Sequence, residues 1–208
     1  MTIHAAGTLT IQNALIFDGK SPDLFEGSIT VSEGRITAVG QDAEPASTVV
    51  DAGGRTVIPG LIDAHFHAYA LSLTSVKNET GPLSYSALAG ARRLEAALVR
   101  GFTSVRDVAG GDIGLANAIE EGLYPGPRYF FTGPALSQTG GHGDIRAAND
   151  GSCFHGGHMC EVVDGADDLL RAVRHRFRTG ATAIKLMTSG GVISPVDPIR
   201  VPQYSAAE

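Results

Sequence analysis

From residue 57 onward the sequence alternates short apolar runs with longer amphipathic stretches, and that alternation leaves few architectures open. The apolar runs at 57–64, 103–108, 129–132 and 183–187 read as strands. Between them, SALAGARRLEAALVRG carries a stripe of Leu88, Ala91, Leu94 and Leu98, with Gly101 placed to stop a helix. VDGADDLLRAVRHRFRTG sets Asp164, Asp167 and Asp168 early and Arg174, Arg176 and Arg178 late, the order that complements a helix dipole. Its Leu169, Leu170, Val173 and Phe177 predict a single buried face. Strand and helix in succession require parallel strands with helical crossovers, so the fold class is α/β, either a doubly wound sheet or a β/α barrel. No GxGxxG follows a strand, and the roughly 120 residues between positions 65 and 185 hold three βα units of about 40 residues each. The barrel is favoured.

Upstream, the β-branched and apolar segments 9–18 and 28–39 are interrupted by the turn-rich DGKSPDLFEG and the short turn SEGR, which predicts a small β-domain. The boundary falls near residue 57, giving 1–57 as the β part and 58–208 as barrel. A complete barrel takes about 250 residues, and about 150 remain here. The final PQYSAAE reads as the cap and first turn of a helix. The expectation is an N-terminal portion of a (β/α)8 barrel, four strands of eight, whose open parallel edge would be closed by further polypeptide.

Composition removes several functions. The 208 residues are 43% hydrophobic and 18% charged, enough apolar material for a sizeable core, and the net charge of −6 comes without any Lys/Arg block. Nucleic acid and anionic lipid surfaces are therefore not expected partners. MTIHAAGTLTIQ lacks the charged start and continuous apolar stretch of a signal peptide, and no window approaches a membrane span, so the expected compartment is the cytoplasm. Two cysteines, Cys153 and Cys160, are too few for a disulfide framework.

GLIDAHFHAYA, residues 60–70, places His65 and His67 at the end of an apolar run where packing alone would prefer aliphatic side chains. In a strand, Asp63, His65 and His67 share one face, and two imidazoles on one face can share a metal ion. The C-terminal end of a barrel strand is where such folds keep their chemistry. Asp63 either accepts an imidazole N–H and fixes a tautomer or bonds to backbone. In AIKLMTSGG, Lys185 interrupts an apolar strand, where a permanent charge is costly and a neutral amine is a nucleophile. His142 in SQTGGHGD stands on a loop whose flanking glycines permit close approach to a ligand, with Asp144 near enough to orient it. Arg106 and Asp107 are placed to pair inside the barrel. CFHGGHMC offers Cys153, His155, His158 and Cys160, but C-x-H-x-x-H-x-C is not a usual zinc spacing, and a glycine-rich loop is the simpler reading.

VIPGLIDAHFH, GFTSVRDVAG, TGGHGD and IKLMTSGGV, in that order, resemble the metal-dependent amidohydrolase superfamily, in its imidazolonepropionase-like and Xaa-Pro dipeptidase-like carboxypeptidase branch. The resemblance spans essentially the whole chain. It implies a β/α barrel with a small β-sandwich built from segments on both sides of it. It further implies two divalent ions, Zn²⁺ by expectation, held by His65 and His67 and bridged by a carbamate formed on Lys185. His142 would bind the substrate's carbonyl or α-carboxylate. Two more histidine ligands and an aspartate that shuttles the proton would come from later strands outside residues 1–208. The implied reaction is hydrolysis of a C–N amide bond in a dipeptide or N-acyl amino acid bearing a free α-carboxylate. Two readings compete: a cyclic amide, imidazolone or aminated heterocycle as substrate, or a non-catalytic relative acting through assembly. Intact members are often oligomeric, so a homo-oligomer is expected.

Overall fold

The computed structural model describes residues 7–40, 46–192 and 197–208. Residues 1–6, which open the stretch read for a signal peptide, lie outside the described residues. The chain divides into two units, Met1–Gly60 and Leu61–Glu208.

In the first unit, β1 (Thr8–Ile16), β2 (Phe25–Ser32), β3 (Arg35–Gly40), β4 (Thr48–Asp51) and β5 (Thr56–Val57) form one sheet of order β3-β2-β1-β4, with β5 also on β1. The antiparallel β2–β3 hairpin turns through Glu33 and Gly34, both with positive φ, the two-residue geometry that matches strand twist. Ala14, Ile16, Ile29 and Ala52 make its small core. Val57 pairs with Ile16 in this sheet, so the single strand expected over 57–64 is two strands. Pro59, which has no N–H to donate, separates them.

The second unit runs β6 (Leu61–Phe66), α1 (Ser75–Thr80), α2 (Leu83–Val99), β7 (Phe102–Asp107), α3 (Ile113–Glu120), β8 (Arg128–Phe131), β9 (Ala135–Ser137), β10 (Cys160–Val162) and α4 (Ala166–Arg178). Strands β6, β7 and β8 are neighbours, all parallel, with helices in the connections, which is the arrangement of opening βα units of a barrel. Gly101 and Gly180 adopt positive φ just past α2 and α4, where a left-handed residue ends a helix. Among the described residues no helix is long and apolar enough to cross a membrane.

The fourth strand expected at 183–187 is reduced to one parallel bridge, Leu136 to Leu186, with Leu136 N–H donating to the Lys185 carbonyl at 2.9 Å and Met187 N–H to the Leu136 carbonyl at 3.0 Å. The cause lies next door. Gly133 and Pro134 interrupt the chain between β8 and β9, so 183–187 meets a three-residue strand instead of a continuous edge.

The expected helix faces hold in part: Leu94 of α2 and Leu169 of α4 are buried, and Ala91 and Val173 pack against the core, but the rest of each inward strip is shifted. In α2 the buried residues are Ser86, Gly90, Leu94 and Ala97, while Leu88 is 72% exposed. Beside Leu94, the inward position 90 takes a glycine because the partner surface is close: a Cβ on Gly90 would stand 3.2 Å from the ring of the buried Tyr69. In α4 the inward residues are Leu169, Ala172 and Arg176, and Leu170 and Phe177 are exposed. Arg176 reaches inward because its guanidinium finds partners there, with Nε donating to the Pro134 carbonyl at 2.9 Å and one terminal amine paired with Glu161. The shifted α2 face is directly testable. Leu94→Ala should destabilise the protein by about 2–5 kcal/mol in urea unfolding, and Leu88→Ala should stay within about 0.5 kcal/mol of the parent.

Candidate metal and substrate site

Strand β6 lies at the edge of its sheet and is irregular where the histidines begin. Asp63 pairs with Val105 and Phe66 with Asp107, so Ala64 and His65 together face Arg106 alone. Such a bulge re-aims side chains at the end of a strand. Arg106 Nε donates to the carbonyl of Ala64 at 3.0 Å, satisfying an acceptor that the bulge takes out of the ladder. This overturns the expected Arg106–Asp107 pair: the neighbours point to opposite faces, and each is committed elsewhere.

Asp107 is 0% exposed and is the junction of three segments. It accepts the Ala68 N–H at 2.9 Å, the Ala109 N–H at 3.4 Å and the Tyr129 hydroxyl at 2.8 Å. The chain immediately after His67 is thereby tied to the end of β7 and to Tyr129 of β8. Burial pushes the Asp107 carboxyl up to about 6, against the pull of its donors. Tyr69, next along the chain, donates its hydroxyl to Asp112 at 2.8 Å, and Asp112 caps α3 by accepting the Leu115 N–H at 3.0 Å.

On this frame the imidazoles of His65 and His67 stand 5.1 Å apart, centroid to centroid, at 74° to one another. His65 is exposed and His67 partly buried. Burial first, then the neighbouring His65, hold His67 below the ordinary histidine range, favouring the neutral ring that ligates metal ions. Asp63 accepts the backbone N–H of His65 at 3.0 Å, the backbone alternative among its two readings.

His65, His67, His142 and Lys185 all line one cavity of about 800 Å³, together with Asp63, Glu79 and Arg93. These residues come from the end of β6, the loop after β9 and segment 183–187. On the loop, Ser137 Oγ accepts the Gly143 N–H at 2.9 Å, and a Cβ on Gly143 would stand 2.8 Å from Ser137 Cβ. Glycine there lets the loop fold flat and carry His142 to the cavity. His142 Nδ1 lies 3.2 Å from Asp197 Oδ2, and its backbone N–H donates to Gln203 Oε1 at 3.0 Å.

Asp144 does not orient His142. Its carboxylate receives Arg146 Nε at 2.8 Å, the Arg146 terminal amine at 2.6 Å and the Gly140 N–H at 2.9 Å, and the guanidinium holds it below the usual carboxylate range. The CFHGGHMC residues do not converge. His158 Nε2 lies 2.8 Å from the Gly81 carbonyl, Cys153 is exposed, Cys160 is buried beside the cavity, and both thiols are free.

Asp197, Gln203, Glu79 and Arg93 escaped the sequence reading. Asp197 and Gln203 sit in a stretch without periodicity, and Glu79 and Arg93 occupy helices where an acid or base is ordinarily solvated. Glu79 is instead buried and accepts the Met159 N–H at 3.0 Å.

The fit to a divalent cation can be judged from the donors present. Among the described residues, buried His67 Nδ1 has no hydrogen-bond partner, and no three His, Cys, Asp or Glu side chains gather as a set. Two adjacent imidazoles, one neutral by burial, suit such an ion, and a further donor has to come from another residue type at the cavity, where Lys185 stands.

Residues 56–208 match the model of the amidohydrolase family. Ochratoxinase of Aspergillus niger is 33% identical over 95% of this chain and 45% of its own length. The crystal structure of a prolidase complexed with N-methylphosphonate-L-proline superposes with a TM-score of 0.88 at 41% identity, over 95% of this chain and 50% of that one. A Xaa-Pro dipeptidase with bound methionine gives 0.82 at 28% identity, over 96% and 52%. The chain thus spans about half the length of these relatives.

The Asp107 junction yields a pH signature. Its folded carboxyl titrates near 6 against a reference of 3.8, so the folded state holds the proton longer than the unfolded chain. Stability from this group is fully present below about 4, falls as pH rises to about 6 and is flat above. The stability difference between the parent and Asp107→Asn, followed by thermal unfolding, should shrink across that interval and then level off.

Proposed function

The chain belongs to the amidohydrolase family, and from that membership we propose that the protein hydrolyses C–N amide bonds with a pair of divalent cations. Its proposed substrates are dipeptides or N-acyl amino acids with a free α-carboxylate. One observation carries the reading: three histidines and a lysine, from three separate stretches of chain, line a single cavity of about 800 Å³.

His65 and His67 would hold one ion through their imidazoles. Lys185, half-buried at the same cavity, would help hold the pair as a carbamylated side chain. Zn²⁺ suits this nitrogen and oxygen donor set. When bound, the cations bring a water to ionisation near neutral pH and polarise the scissile carbonyl. His142 engages the substrate's carbonyl or α-carboxylate oxygen from its loop. Arg106 and Asp107 hold the strand ends so that both ligand histidines keep their place. The remaining ligands and the proton-transfer aspartate belong to protein outside these residues.

The prolidase relative supports the substrate class, because its bound N-methylphosphonate-L-proline presents a proline moiety with a free carboxylate. The ochratoxinase and Xaa-Pro dipeptidase relatives support hydrolysis as the reaction type.

In the full-length protein, His65→Ala and Lys185→Ala should each abolish metal-dependent turnover and lower the bound metal measured by plasma mass spectrometry. Activity retained with metal still bound would contradict the ligand assignment. A panel of dipeptides, their C-terminal amides, N-acyl amino acids and cyclic amides should show turnover of the free-carboxylate compounds above the rest; preference for cyclic amides would overturn the substrate class.

A further inference from the structure

His67 sits in a short segment, 66–70, whose other members are fastened to neighbouring elements. The Phe66 carbonyl accepts the Val108 N–H at 3.0 Å, the Ala68 N–H goes to Asp107, and the Tyr69 hydroxyl goes to Asp112. The remaining tie comes from α2, through a residue to which the reaction just proposed assigns nothing. Arg93 Nη1 donates to the Ala70 carbonyl, and the guanidinium carbon stands 5.9 Å from the centroid of the Phe66 ring. One side chain thus meets the residue before His67 and the residue three after it. Between those two contacts, His67 Nδ1 is buried and has no hydrogen-bond partner among the described residues.

The sequence of α2 explains the reach. Gly90 lets the helix come so close that a Cβ there would stand 3.2 Å from the Tyr69 ring and 3.4 Å from the Ala68 carbonyl oxygen. Arg93 follows one turn later, and helical side chains lean back toward the N-terminus, over the preceding turn. A planar guanidinium can lie against a ring and donate to a carbonyl at once, which a single ammonium cannot. Among the described residues no carboxylate forms an ion pair with Arg93, so the ring and the carbonyl are what hold it. We infer that Arg93 is a positioning residue for metal binding: it fixes this segment from the carbonyl side, as Asp107 does from the N–H side, and so holds the His67 imidazole for the ion. The inference rests on His67 being a metal ligand, as proposed above. By charge alone the guanidinium would repel a divalent cation, so the positioning role and a purely electrostatic one have opposite signs.

The test reads metal binding, without turnover. Zn²⁺ affinity of the full-length protein is measured by competition with a chromophoric chelator. Arg93→Met keeps an unbranched stem and loses both the donors and the charge. It should weaken Zn²⁺ binding by roughly 10- to 100-fold, the loss typical when the groups that orient a metal ligand are removed. Arg93→Lys should recover part of that loss. Unchanged affinity in Arg93→Met overturns the inference, and so does a rise, which would show the guanidinium acting through its charge.

A double-mutant cycle with His67→Ala separates positioning from general support. In that background Arg93→Met should leave Zn²⁺ affinity where His67→Ala alone puts it. An equal loss in both backgrounds would make Arg93 a structural residue and overturn the inference alone, whereas a His67→Ala protein with parental affinity would overturn the ligand reading itself. Should Arg93→Met fail to fold, Arg93→Lys carries the test. Its single ammonium cannot cover Phe66 and reach Ala70 together, so an affinity below the parent's is expected, and an unchanged one would refute the proposal.

Discussion

The buried carboxylate of Asp107 is the interaction on which the arrangement of the second unit depends. A carboxylate removed from water is expensive, by several kcal/mol even after relaxation, and it persists here because three donors from three segments converge on it. Each donor also gains. The Ala68 N–H and the Ala109 N–H belong to chain leaving β6 and β7, where ladder partners have run out, and the Tyr129 hydroxyl would otherwise be buried without a partner. Because one oxygen receives both Ala68 and Tyr129, the chain leaving the first parallel strand and a side chain of the third are referred to a single atom. The two adjacent histidines inherit their position from that atom.

Around this junction the chain spends irregular backbone where chemistry is wanted. The bulge at Ala64 and His65 departs from strand pairing at the position that carries the first imidazole, and Arg106 repairs the exposed carbonyl. The break at Gly133 and Pro134 ends one strand and starts another, so that β9 has β10 on one side and the Lys185 segment on the other. Regular sheet supplies the frame, and its interruptions bring the polar side chains to the cavity.

These features differ in how far they can be read from residues alone. The HxH pair, the glycine-flanked His142 and the apolar setting of Lys185 could be recognised because each puts a chemically reactive group where packing would not choose one. All four line one cavity. Helix faces were less legible. Leu88 and Phe177 fit an apolar stripe by spacing, but the inward positions went to Gly90, Ala97 and Arg176, chosen by how close the opposing surface lies and by what an arginine can reach. Periodicity carries neither kind of information. Nearness in sequence points to Asp144 as the partner of His142, yet a guanidinium two residues away takes that carboxylate. Asp197 and Gln203 lie 55 and 61 residues from the histidine they hold, with no local pattern to announce them.

That long separation bears on the order in which the molecule matures. Tyr204 adds to the same seam, its N–H donating to Gln138 Oε1 at 2.7 Å and its hydroxyl to the Val163 carbonyl at 2.9 Å. During synthesis the parallel strands and their Asp107 clamp can form from residues already emerged, while the His142 loop still lacks the segment that fastens it. The residues that fasten the His142 loop therefore leave the ribosome 55 to 61 positions after it, behind all those that make the Asp107 clamp.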